Sequence, residues 1–254
     1  MVRSLVRPGK LVDGQGFRLR GREMTRLETF VDAGFAFVVA MLALAQDDLP
    51  RTYAGMIDLL RGVPAFVVCL SIVMLFWTAH VEFSQRYGLD DGPTKFLSGA
   101  LVAVLMIYVF PLKFMFTIFF AYFIPPLRTS VYTPPISGPN DLSVMFAVMS
   151  AGYIAMHAVL CLLTWHAWRK REVLGLDARE RFLTKAQFGA FGVYIAVGAA
   201  SISLAVAFRG SLWVTSAGWI YAFIGVLMPL YWFITGRVMN EPPKERELIP
   251  LDEL

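Results

Sequence analysis

An aspartate, Asp32, lies inside the first long apolar run of the sequence, six residues after Arg26. The run reads RLETFVDAGFAFVVAMLAL, and after Asp32 it carries no charge. A carboxylate near the centre of a lipid bilayer costs roughly 2.5–3.5 kcal/mol on insertion scales. An aspartate that is kept in such a run therefore indicates a hydrogen-bonding partner, a water-filled cavity beside it, or both.

Partners for Asp32 are predicted at the end of the second apolar run. Because that run crosses in the opposite direction, Trp77 and His80 should reach the same depth as Asp32. Arg26 and Asp32 are about 240° apart around a helix, so a bridge between them must come from the second helix or a neighbouring subunit. We expect these four residues to satisfy one another as a buried polar network. Asp32→Ala should then destabilise the protein much more than Glu28→Ala.

Other residues that could carry chemistry are few. No Gly-rich phosphate loop, HExxH pair, CxxC or GxSxG motif occurs, so we predict no enzyme and no cofactor. His157 and Cys161 are four residues apart, which is metal-ligand spacing on one helix face. Zinc requires three or four protein ligands, and no others are evident nearby. We therefore favour a hydrogen-bonded, structural His157 over a metal or proton-relay role, and we predict no metal site.

Six apolar stretches must position these side chains. They comprise residues 30–45, 63–81, 96–124, 142–168, 186–208 and 211–236. A spanning helix needs about 20 residues, with a working range of about 17–25, and the first stretch reaches that length when residues 27–29 are added. With 57% hydrophobic residues and a mean hydropathy of +0.60, the sequence predicts an all-α integral membrane protein of six transmembrane helices. Residues 26–236 would form this domain, between a basic N-terminal segment (1–25) and a C-terminal tail (237–254).

The charges flanking these stretches predict the orientation. Of the 23 Lys and Arg residues, 18 lie in the N-terminal flank, the link after the second stretch, the link 169–185 and the tail. The positive-inside rule places these segments, and both termini, in the cytoplasm. The net charge of +4 follows from this asymmetry, so we predict no nucleic-acid partner. We expect the bacterial inner (plasma) membrane as host, and a solvated N-terminal segment rather than one lying on anionic lipid.

Two of the stretches suggest local features. The third is longer than a bilayer requires, and we expect the chain to tilt, kink or follow the outer interface after Pro111, with Lys113 reaching toward that interface. The fifth has small residues four apart at Gly192, Ala196 and Ala200, a spacing that lets helix backbones approach closely in lipid.

Small residues also share one face of the first helix. At 100° per residue, an arc of about 80° contains four alanines: Ala33, Ala36, Ala40 and Ala43. Asp32 lies at one edge of this arc and Phe37 at the other. Such a face suits close packing against another helix, but it equally suits a water pathway with Asp32 at its cytoplasmic mouth. The pattern alone leaves both interpretations open.

The same residues carry a resemblance to a known family. RLETFVD resembles the RxxxFSD motif that opens the first helix of the transmembrane protein 175 family of potassium channels, with Arg26, Phe30 and Asp32 at matching positions. Trp77 and His80, spaced WxxH, match a further feature of that family. The network derived above thus coincides with the residues of the motif.

The resemblance covers roughly residues 26–113 and implies a homotetrameric channel for potassium or other monovalent cations, without the usual pore loop. The first helices would line the axis, and by position the constriction would be formed by Ala36, Phe37 and Ala40. This sequence departs from the family in having Val31 for the motif serine, Ala40 where relatives often have threonine, and the bulkier Phe37 for an aliphatic residue.

We therefore predict a monovalent cation channel, for potassium by resemblance, with the first helix lining a hydrophobic pore. Two alternatives remain open. One is an ion- or proton-coupled transporter that uses Asp32 and His157, although carriers often show inverted repeats and no convincing internal repeat is found. The other is a structural or sensory membrane protein that does not conduct.

Overall fold

The fold is known from a computed structural model, which describes residues 12–21, 23–44, 51–127, 136 and 138–240. Within these ranges six helices are long and apolar enough to cross a membrane. The described part contains no strand apart from an isolated bridge between Val12 and Arg18. The predicted all-α fold with six membrane-spanning helices is confirmed.

The helices, numbered along the chain, are α1 (Arg26–Leu44), α2 (Tyr53–Arg61), α3 (Val63–Tyr87), α4 (Gly92–Phe123), α5 (Pro139–Arg169), α6 (Ala178–Ala207), α7 (Ser216–Trp219) and α8 (Ile224–Asn240). Short 3₁₀ turns occupy Pro125–Leu127, Leu212–Thr215 and Ile220–Phe223. The sixth span, Leu212–Arg237, is therefore assembled from several short pieces.

Capping residues fix where the long helices begin and end. The Asp91 carboxylate accepts a hydrogen bond from the Thr94 N–H (3.0 Å) at the start of α4. Asp177 and Glu180 form a reciprocal capping box at the start of α6. Helix α3 ends at Gly88, whose φ of 57° places it in the left-handed region that glycine tolerates best. These caps satisfy backbone groups that the helices themselves leave unpaired.

Helix α1 packs against α3 and α4, and α5 and α6 form the most extensive helix pair. Glycines allow the closest approaches. A Cβ at Gly34 would lie 2.6 Å from a methyl group of Val102, and one at Gly198 would lie 2.6 Å from Ile154. Both distances are shorter than real Cβ contacts, so a larger residue at either position would force Val102 or Ile154 to move.

The small residues predicted to pack closely on α6 do not make these contacts within the protomer. Gly192 and Ala196 are exposed, and a Cβ at Gly192 would meet no atom within 4 Å. The close approach is made at Gly198 instead. Four-residue spacing occurs on several faces of a helix, and the spacing alone does not identify the face that meets α5.

Helix α4 continues without a break through Pro111 as far as Phe123. Lys113 does not extend into solvent on the protomer. Its side chain is buried, and its Nζ donates to the Leu42 carbonyl oxygen (3.3 Å) in the last turn of α1. The unpaired carbonyls at a helix C-terminus favour a cation, so Lys113 stabilises the end of α1.

The sixth span is irregular before α8, where the sequence predicted one continuous stretch. The Ser201 hydroxyl of α6 donates to the Ala217 carbonyl (2.7 Å). A Cβ at Gly218 would lie 2.8 Å from the Phe146 ring of α5. Contacts with α5 and α6 thus hold this part of the chain against those two helices. The Ala217 carbonyl, which lies in this irregular part, has the Ser201 hydroxyl as its hydrogen-bond partner.

Residues 12–21 form a segment that we call the N-terminal strap, because it lies across the ends of α3 and α6. The Arg20 N–H donates to the Gln85 carbonyl (2.8 Å) of α3. Phe17 is fully buried, with its ring edge-on to Tyr87 at a centroid distance of 5.4 Å. The expectation of a solvated tail is therefore wrong for these residues; the rest of the predicted N-terminal segment lies largely outside the described residues, as does the tail after residue 240.

Ion pairs fasten the strap. The fully buried Glu180 carboxylate accepts from Arg18 (3.0 Å) and Arg20 (2.7 Å). Arg86 at the end of α3 pairs with Asp13 (2.7 Å). Burial alone would raise the pKa of Asp13, but a backbone N–H and the Arg86 guanidinium hold that pKa below its ordinary value. The strap therefore links the approach to α1 with α3 and α6.

Candidate pore face and helix-end contacts

The start of α1 is organised by Thr25 and Glu28. The Thr25 N–H and hydroxyl donate to the Glu28 carboxylate, and the Glu28 N–H donates to the Thr25 hydroxyl (3.3 Å). The other Glu28 carboxylate oxygen accepts from the Ser84 hydroxyl of α3. Glu28→Ala should therefore also destabilise the protein, and it is not the mild control for Asp32→Ala that the sequence suggested. The T-x-x-E spacing of Thr25 and Glu28 is typical of a capping box, and this is the sequence signal that indicates a structural role for Glu28.

Asp32 is half-buried and has one partner on α3. The indole Nε1 of Trp77 donates to Asp32 Oδ1 at 2.9 Å. This contact between α1 and α3 gives the carboxylate a donor at the predicted depth.

The other residues of the predicted network lie elsewhere. His80 is buried, and its Nε2 is 2.9 Å from the Ser98 hydroxyl of α4 rather than bonded to Asp32. Arg26 and Phe30 are exposed on the protomer, and no contact of Arg26 with Asp32 is found in the described ranges. The structure thus brings Asp32 and Trp77 together, and it leaves Arg26 outside this pair.

The three residues carried over by position as constriction residues, Ala36, Phe37 and Ala40, are all exposed on the isolated protomer. We call them the candidate pore face. Phe37 is 56% exposed, although it is a large apolar residue in the middle of α1. The candidate pore face can therefore contact other copies of the chain or line a pathway between them.

The opposite side of α1 is occupied by the core. Val31 and Val38 are fully buried, Phe35 is 3% exposed, and Leu42 completes the row. These residues pack against α3 and α4. Because one side of α1 is committed to the protomer core, the candidate pore face is the side left over for lipid, partners or ions.

A second polar cluster joins α4 to α5 at the strap end of the bundle. His166 Nε2 lies 2.9 Å from Asp91 Oδ2, and Lys170 forms a short ion pair with the same oxygen. Burial alone would raise the pKa of Asp91, but hydrogen bonds from Lys170 and Thr94 outweigh it and hold that pKa well below its ordinary value. No sequence signal pairs His166 with Asp91.

His157 lies in an aromatic enclosure. Its Nδ1 is 2.8 Å from the Tyr153 carbonyl, and its ring is 4.2 Å from the Tyr153 ring and 4.6 Å from the Tyr194 ring, measured between centroids. Among the described residues no group of three His, Cys, Asp or Glu side chains is placed to hold a metal ion. The geometry fits a packed, hydrogen-bonded histidine.

Comparison with known proteins gives two informative matches. No family model matches the chain. A curated relative from Marivirga tractuosa, named Potassium channel, is 30% identical over 177 residues, which cover 66% of this chain and 69% of the relative. The fold also matches the crystal structure of the potassium channel MtTMEM175, a threonine-to-alanine variant in complex with a nanobody–MBP fusion protein. That match has a TM-score of 0.77 and 27% identity, and it covers 89% of this chain and 100% of the other.

The motif at the start of α1, the six spans and these two matches agree with one another. The relative and the solved structure are each covered over two thirds of their length or more. The chain belongs to the transmembrane protein 175 family.

Proposed function

We propose that this protein is a potassium channel in which four copies of the chain surround a pore lined by α1. The curated relative and the solved structure are both named as potassium channels, and this supports the activity. The arrangement of α1 supports the location of the pore. No pore loop is needed, because the helix itself would supply the constriction.

The observation that carries the proposal is the exposure of the candidate pore face. Ala36 and Ala40 bury little apolar area against lipid, but small side chains let helices approach one another closely. Phe37, 56% exposed between them, is available for van der Waals packing against another copy. Around a four-fold axis this would place four phenylalanine rings at one level, with an alanine layer on each side.

Such a pore would conduct through a hydrophobic constriction. A ring of apolar side chains excludes water and closes a pore by dewetting. The alanine layers offer no hydroxyl or carbonyl to replace water around an ion, so selection of potassium would depend on pore width at Phe37. Asp32, at the strap end of the same helix, would attract cations before they reach the constriction.

Flux measurements test this directly. The purified full-length protein, reconstituted in liposomes, should release potassium faster than sodium or caesium, and its mass by light scattering should correspond to four chains. A protein that assembles as a tetramer but passes none of the three ions would contradict the channel. Flux that requires a proton gradient would instead favour a coupled transporter.

A further inference from the structure

Two cations share one tryptophan at the strap end of α5 and α6. The Arg171 guanidinium carbon lies 4.9 Å from the centroid of the Trp168 ring, and Lys185 Nζ lies 5.0 Å from the same centroid. Trp165 lies one helix turn before Trp168, and the Arg169 guanidinium carbon is 5.0 Å from the centroid of its ring. Cation–π contacts explain why these side chains are held at the surface of the bundle instead of extending freely.

The charges of this cluster are not balanced within the part of the chain that the structure describes. Glu172, whose side chain is 68% exposed, is 3.5 Å from Arg171 and 3.0 Å from Arg181. Lys185 and Arg169 have no carboxylate within ion-pair distance among the described residues. Arg171 and Lys185 each lie within about 5 Å of the same ring centroid, so an anion beside Trp168 would be attracted to both.

An exposed apolar surface continues from the cluster along the helices. Trp165 precedes Trp168 by three residues on the same side of α5 and is 43% exposed. Phe188 follows Lys185 by three residues on α6, on the same side of that helix, and is 44% exposed. Cations at the end of a membrane-spanning pair therefore lie directly beyond side chains suited to a hydrocarbon chain.

We propose that this cluster binds an anionic phospholipid, with the phosphate beside Trp168 in reach of Arg171 and Lys185 and an acyl chain along Phe188. Phosphate matches the donors, because guanidinium and ammonium groups both bind its oxygens. The adjoining apolar surface distinguishes a lipid from free phosphate, which would gain nothing from it. Basic pockets between membrane helices on the cytoplasmic side bind acidic headgroups in this manner.

Native mass spectrometry of the full-length protein in detergent tests the proposal. Phosphatidylglycerol and phosphatidylcholine would be offered in equal amounts, and bound lipid counted for each protein. We expect phosphatidylglycerol to be retained preferentially, and the double variant Arg171→Gln/Lys185→Gln to lower its occupancy about tenfold. Lys185→Arg should retain binding, because the charge and the ring contact are kept.

Lys95→Gln is the matched control. It removes an exposed lysine at the same end of the bundle, where its only ion-pair partner among the described residues is Asp90 (3.4 Å), and it should leave phosphatidylglycerol binding unchanged. Equal retention of phosphatidylcholine would overturn the proposal, as would a double variant that binds like the original protein. Displacement of the lipid by millimolar inorganic phosphate would identify free phosphate as the ligand and also overturn it.

Discussion

Phe35 and Phe37 are two residues apart on α1, yet they have opposite surroundings. Phe35 is 3% exposed and packs into the core, while Phe37 is 56% exposed on the candidate pore face. The difference follows from helix geometry, since two residues correspond to a rotation of about 200°. Changing Phe37 therefore tests the pathway, whereas changing Phe35 tests the fold.

We expect Phe37→Ala to raise ion flux and weaken the distinction between potassium and other monovalent cations. Removing the ring would widen the proposed constriction, and the neighbouring alanines would not restore a dry barrier. Phe37→Asn should also raise flux, because its amide admits water. Liposome flux of potassium, sodium and caesium measures both effects.

Phe110→Ala on α4 is the control, because Phe110 is similarly exposed, at 47%, but does not belong to α1. Its flux should match that of the original protein. If both Phe37 variants form normal tetramers and their flux is also unchanged, the pore lies on a different face. Phe35→Ala is unsuitable as a control, because emptying a buried phenylalanine site costs about 3–5 kcal/mol of stability.

The contact between Asp32 and Trp77 is the one pair of the predicted helix-end network that the structure brings within hydrogen-bonding distance. Hydrogen bonds to charged groups contribute about 1.5–3 kcal/mol when well formed. Because both side chains are only half-buried, we expect a coupling of about 1–2 kcal/mol. Asp32→Ala and Trp77→Phe should each lower the melting temperature, and the double variant should be little worse than either alone.

Trp213→Phe provides the comparison for Trp77, since Trp213 is 72% exposed and should tolerate the change. Strictly additive losses for Asp32→Ala and Trp77→Phe in thermal unfolding would show that the two residues act independently. Asp32 would then be tolerated through hydration, not through its partner on α3.

At the scale of elements, one buried carboxylate anchors two arginines of the strap. Glu180 is fully buried and holds Arg18 and Arg20, so Glu180→Gln would leave two guanidinium groups facing a neutral amide. Removing one partner of a buried ion pair typically costs about 3–5 kcal/mol. We expect a lower melting temperature and faster tryptic cleavage after the two arginines.

Glu172→Gln is a close control for this experiment. Glu172 also pairs with two arginines, Arg171 and Arg181, but its side chain is 68% exposed. Exposed ion pairs contribute about 0–1 kcal/mol, so its stability and its cleavage pattern should change little. Similar losses in the two variants would mean that the strap is not held by Glu180.

The sequence predicted the spans well and the contacts between them poorly, for a physical reason. Hydrocarbon thickness sets the length of an apolar run, so all six spans were visible. The buried row containing Val31 and Val38 and the exposed alanines of α1 follow from the period of one helix. The bond of His80 to Ser98 depends on the rotation of two helices, which no single helix encodes. Phe17 lies among polar residues without periodicity, so nothing indicated that the strap docks.

On the scale of the whole molecule, the distribution of basic residues makes the orientation testable. Val173, in the link between α5 and α6, is 70% exposed, and Tyr53, at the start of α2, is 76% exposed. The positive-inside rule puts the link in the cytoplasm and α2 outside. In a background with Cys69 and Cys161 replaced by serine, a membrane-impermeant thiol reagent should label Tyr53→Cys on intact cells but not Val173→Cys.

Permeabilised cells provide the control, because both cysteines should then react. Labelling of Val173→Cys on intact cells would reverse the orientation. It would also place the strap, the Asp91 cluster and the Trp168 cluster on the outer side, because all three lie at the same end of the bundle as that link.

The strap also constrains the order in which the protein can fold during its synthesis. Glu180 follows Arg20 by 160 residues, so the ribosome completes the strap long before it makes the carboxylate that holds it. The strap can dock on α3 through Phe17 and Tyr87 once that helix has been made, but its ion pairs with Glu180 must wait until α6 has been synthesised. The ion pairs between the strap and Glu180 therefore form only in a subunit whose synthesis has passed α6. Chains that are still being synthesised lack these ion pairs when they encounter one another in the membrane.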